Sequence, residues 1–128
     1  MSKRCTLSDT WCEYFVCKDV DTKFPGIYEW KIDGAGSYIG QYGRIRRPTK
    51  HYRRNVVRLM NGEAYRKGKP EGFRRIHLEL EKAVRENRRI ELHILENVEI
   101  DKINARELEL IKQRGTLNGP VANFNISN

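Results

Sequence analysis

The clearest hydrophobic pattern in the chain lies between residues 25 and 40. Tyr28, Trp30 and Ile32 alternate onto one face of a strand that opens at Gly26. Asp33-Gly34-Ala35-Gly36 follows, rich in residues that tolerate positive φ. Tyr38-Ile39-Gly40 then reads as the return strand of a β-hairpin. Beyond it the period changes to that of helices. Pro48 suits a first helical turn, Tyr52, Val56, Leu59 and Met60 share a face, and Asn61-Gly62 is a stop. A glycine- and lysine-rich loop over 62–72 ends this part. Phe73, Ile76, Leu80, Ala83 and Val84 form the stripe of a second helix. Ile90-Glu91-Leu92-His93-Ile94 alternates as a third strand. Asp101 is placed to cap a third helix that runs to about Arg114 and stops at Gly115.

Before the hairpin, Ser8 or Asp9 is placed to cap a short helix carrying Trp11, Cys12, Phe15 and Val16. Residues 116–128 have no period. The expected fold is therefore α+β. It is a three-stranded antiparallel sheet flanked by helices, in the order β-β-α-α-β-α, with a short N-terminal helical extension. The expected organisation is an extension over 1–24, one domain over 25–120 and a tail over 121–128.

With 128 residues, 38% hydrophobic and 33% charged, the chain suits one domain with one modest core. It has no apolar run of membrane-spanning length and no signal-peptide core. Cys5, Cys12 and Cys17 match no zinc spacing and read as reduced thiols of a cytosolic protein. Charge changes the picture more. Between residues 41 and 75 there are twelve lysines and arginines against two acids, Glu63 and Glu71, and this segment holds the whole of the net +8. Such clustering is either a solvated face or, more informatively, the footprint of a phosphate-rich partner. Arg44, Arg46, Lys50, Arg54, Arg66, Lys67, Lys69 and Arg74 are the expected nucleic-acid contacts.

One residue of the third helix stands out. Ile103, Leu110 and Ile111 define its apolar stripe, and Glu107 falls within it. A carboxylate there needs a compensating charge, either an arginine or a metal ion. A hard divalent ion is held by as little as one carboxylate when water and phosphate oxygens supply the rest.

Gly26-Ile27-Tyr28, a short glycine-containing turn and Tyr38-Ile39-Gly40, in that order, resemble the paired triplets of the GIY-YIG nuclease family. Further features of the family fall on Arg47 with His51 four residues on, on Glu107, and on Asn118 in Thr-Leu-Asn-Gly-Pro. The resemblance covers roughly residues 25–120. It implies a metal-dependent endonuclease that hydrolyses phosphodiesters in nucleic acid, usually DNA. Glu107 would hold Mg²⁺ (or Mn²⁺). Tyr28 would be the general base, with Arg47 or His51 lowering its pKa. Arg47 would meet the non-bridging oxygens, although Arg44 and Arg46 crowd the same place. Tyr38 would position water or phosphate, and His51 would be proton acceptor or phosphate contact. Asn118 would hold substrate or catalytic side chains through its amide. His77 and His93 are expected to be structural or surface residues. Specificity would come from a protein partner or a homodimer. The rival readings are a binding module of the same fold without cleavage, and a protein-interaction domain whose basic face meets an acidic protein.

Overall fold

The computed structural model describes residues 4–118, so the tail expected over 121–128 lies outside the described residues. Strands β1 (Glu13–Val16), β2 (Gly26–Ile32), β3 (Gly36–Tyr42) and β4 (Ile90–Asn97) form one sheet in the order β1-β4-β2-β3. The helices are α1 (Tyr52–Met60), α2 (Arg75–Arg85) and α3 (Ile103–Arg114). One π-helical turn, Arg47–His51, leads into α1, and a 3₁₀ turn, Thr116–Asn118, follows α3. Among the described residues no helix is long and apolar enough to cross a membrane.

This corrects the expected three-stranded antiparallel sheet: helices flank a four-stranded, mixed one. β2 pairs antiparallel with both β3 and β4, while β1 runs parallel to β4, with Phe15 opposite His93. The expected N-terminal helix is in its place a turn followed by β1. Glu13-Tyr14-Phe15-Val16 is rich in aromatic and β-branched side chains, and the free edge of β4 supplies hydrogen-bonding partners. Trp11 still packs inward, its ring centroid 5.5 Å from that of Trp30. Asp101 does not cap α3, whose N-cap position is Lys102 without a side-chain bond.

In the β2–β3 hairpin Tyr28 faces Gly40 and Trp30 faces Tyr38, so these four residues share one side of the sheet. Gly34 and Gly36 take positive φ (76° and 142°) in its turn. On that side Tyr28, Trp30, Ile32 and Tyr42 pack with Tyr52 and Val56 of α1 and Ile76 and Leu80 of α2. On the other side Ile27 and Ile39 pack with Ile103 and Leu110 of α3. The strand order leaves β3 at the sheet edge, between these layers. Side chains from both layers meet around that edge.

Candidate functional site

A cavity of about 300 Å³ opens at the β3 edge, lined by Tyr28, Tyr38, Gln41, Arg47, Arg74 and Glu107, with Gly40 and Gly43 at its walls. Tyr28, Tyr38, Arg47 and Glu107, expected from the sequence, thus come together. Gly40 makes room for this. A Cβ there would collide with the ring and hydroxyl of Tyr28, which cross its backbone. β2 also shifts register against β4 between Ile27 and Tyr28, re-aiming the strand at the site.

Three phenols and a guanidinium form a chain of hydrogen bonds. The buried Tyr28 hydroxyl lies 2.5 Å from the Tyr52 hydroxyl. Arg74 donates to Tyr52 from Nη2 and to Tyr38 from Nη1, each at 3.0 Å. Burial pushes the Tyr28 hydroxyl well above the usual phenol range. The neighbouring Tyr52 and Tyr38 add to this, and the charge of Arg74 opposes it. Tyr38 is raised in the same way, first by burial and then by Tyr52.

Arg74 is itself held from behind. His77, in the first turn of α2, accepts the Arg74 backbone N–H at Nδ1 over 3.0 Å. Burial, then the charges of Arg74 and Arg47, lower the His77 pKa to about 4, so the ring is neutral. Its proton then sits on Nε2, 3.2 Å from the Asn55 amide. The Asn55 nitrogen stands there, and exchanging the two ends of the amide brings its otherwise unpartnered buried oxygen to the Nε2 proton.

Glu107 reaches the cavity from the other layer. Gln41 on β3 donates from Nε2 to Glu107 Oε1 (2.9 Å) and to Asn104 Oδ1 (2.7 Å), fixing the carboxylate. Among the described residues Glu107 makes no ion pair. The arginine alternative for its compensation is therefore not realised there. No group of three or more His, Cys, Asp or Glu side chains among the described residues could enclose a metal ion. A lone, oriented carboxylate does suit a hard cation that draws its other ligands from water and phosphate oxygens, so Glu107 is the residue that could hold Mg²⁺ or Mn²⁺.

Two expected residues do not line this cavity, although Asn118 lines the neighbouring one beside Tyr38, Arg74 and Glu107. His51 does not line the cavity, and the adjacent Tyr52 is the side chain that reaches Tyr28. The His51 pKa is lowered by partial burial and then by Arg54, Arg47 and Arg46. Asn118 spends its amide on the backbone of Ile39, accepting its N–H and donating to its carbonyl, both at 2.8 Å. Thr116 accepts the Ser37 N–H two residues earlier on β3 (2.9 Å). The 3₁₀ turn thus serves as a side-chain substitute for a fifth strand.

Tyr52, Gln41 and His77 were not expected at the site, and Arg74 was expected only as a phosphate contact. Arg44, Arg46, Lys50, Arg54, Arg66, Lys67 and Lys69 are all exposed. Among the described residues they form no ion pairs, unlike Arg75, Arg85, Arg88 and Arg89 in and after α2. Comparison with protein-family models, curated proteins and solved structures finds no match.

Proposed function

We propose that the chain is a small metal-dependent endonuclease that hydrolyses phosphodiester bonds in DNA, resembling the GIY-YIG family. The observation that carries this reading is one cavity holding Tyr28, Tyr38, Arg47, Arg74 and a Glu107 with no cationic partner among the described residues. Glu107, oriented by Gln41, would hold Mg²⁺ or Mn²⁺, which when bound supplies positive charge for the leaving oxygen. Arg47 and Arg74 grip the non-bridging oxygens as preorganised charge. Tyr28 orients the attacking water and takes its proton, while Tyr38 positions the phosphate. Tyr52 takes the place first given to His51, tying the Tyr28 hydroxyl to Arg74. His51 remains a contact on the basic rim. The exposed lysines and arginines, unpaired among the described residues, give backbone affinity that falls steeply with salt.

One observation favours a second reading, a nucleic-acid-binding module without cleavage. Burial raises the pKa of Tyr28, which opposes the phenolate a base requires. Incubation with duplex, nicked, branched and single-stranded DNA in Mg²⁺ and in Mn²⁺ separates the two. Cut products on any substrate support the nuclease. Binding with no cutting in either metal supports the module.

A further inference from the structure

A second cavity of about 560 Å³ adjoins the first and shares Tyr38, Arg74 and Glu107 with it. The two cavities thus border one another at these three side chains and have different linings. The first is polar and suits a phosphate. The second is floored by Ile76, Leu108, Ile111 and Leu117. Leu108 is 38% exposed there, one position along α3 from Glu107. A phosphate gains nothing from such a floor. A base, with its broad flat apolar faces, is the part of a nucleic acid that buries most apolar surface against it.

The polar groups at this second cavity fit the same occupant. The oxygen of Asn104 is taken by Gln41, and its amide N–H groups make no hydrogen bond among the described residues. They are free to meet a base carbonyl. The volume falls in the range of sites that enclose small organic groups. In an intact duplex the base faces are closed off by stacking and cannot enter.

We propose that this groove receives an unpaired nucleobase next to the phosphodiester held by Arg47 and Arg74, so that the substrate is DNA with a bulged, flapped or otherwise unpaired nucleotide at the cut. The placement of that phosphodiester rests on the nuclease reading, whereas the affinity for an unpaired base can be measured without cleavage.

The test uses the full chain without divalent metal. It compares binding of a duplex with binding of the same duplex carrying one bulged 2-aminopurine. The bulged DNA is expected to bind about tenfold tighter or better, with a change in 2-aminopurine emission. Leu108→Asn, at an exposed position, should abolish the preference while leaving duplex binding and thermal stability unchanged. Equal affinity for the two DNAs overturns the proposal. So does a preference that survives Leu108→Asn, which would reflect only the flexibility of bulged DNA. A preference that emerges only when the chain is ended at Asn118 also overturns it, by showing that residues 119–128 occupy the groove. A bulge preference lost in Leu108→Asn, with no cleavage in Mg²⁺ or Mn²⁺, supports this inference and removes the nuclease reading. Cleavage of both DNAs with no preference in binding or rate does the reverse.

Discussion

The hydroxyls of Tyr28 and Tyr52 lie 2.5 Å apart, and Tyr52 in turn accepts from Arg74. Tyr52→Phe keeps the ring and removes both links, leaving the buried Tyr28 hydroxyl without a partner among the described residues. Such a loss is worth about 1–3 kcal/mol. The variant should therefore melt measurably lower and, at temperatures where it remains folded, cut DNA about tenfold more slowly, mainly through kcat. Unchanged single-turnover cleavage would show that Tyr28 acts without this support.

The pKa of Tyr28 is raised chiefly by burial, so at neutral pH the free site holds the neutral phenol. If Tyr28 takes the proton of water, its anion becomes more populated as pH rises towards the elevated pKa. Cleavage should then accelerate with pH through the alkaline range until the fold fails. Tyr28→Phe should lose about a hundredfold in rate or more and flatten the profile. A wild-type rate independent of pH between 7 and 9 would exclude the role. These limits lie below the ordinary phenol pKa of about 10.

His77 makes stability sensitive to acid. Its folded pKa is depressed to about 4 from the ordinary 6.5. The unfolded chain therefore binds a proton first as pH falls. The contribution of His77 is complete above about pH 6.5 and is lost on going down towards pH 4. A shift of this size corresponds to about 3 kcal/mol. Denaturant titrations at pH 7.5 and pH 4.5 should show a larger loss in wild type than in His77→Gln, which can accept from Arg74 and donate to Asn55. Equal losses in the two proteins would contradict the buried, neutral ring.

The hairpin and the three helices were legible because their signals are local. Asp33-Gly34-Ala35-Gly36 marks its own turn, and stripes such as Ile76, Leu80 and Ala83 repeat within one element. β1 was not legible. Trp11, Phe15 and Val16 satisfy helical spacing as well as strand propensity, and what decides is the free edge of β4, far along the chain. The same distinction applies to the site. Glu107 stood out as an acid on an apolar stripe. Tyr52 looked like one more core aromatic, and Arg74 one more cation in a basic run. The hydrogen bond between them crosses from one helix to the start of the next and leaves no trace in spacing.

Asn118 illustrates how strand order assigns a role. Its sequence setting, before Gly119-Pro120, suggested substrate contact or a turn, but β3 is an edge strand whose Ile39 N–H and carbonyl point outward. Asn118→Ala should destabilise the protein by about 1–3 kcal/mol for two hydrogen bonds. At temperatures where the variant remains folded, cleavage should stay within a few-fold of wild type. A loss of activity with stability intact would return Asn118 to the catalytic machinery.

The most direct measurement compares wild type with Glu107→Gln on the DNA that wild type cuts best, in Mg²⁺ or Mn²⁺, with binding and melting temperature followed in parallel. Wild type is expected to cut, and the variant to lose cutting by about a hundredfold or more while it binds DNA and melts as before. Cutting by Glu107→Gln at the wild-type rate, or no cutting by wild type with any DNA in either metal, would contradict the account.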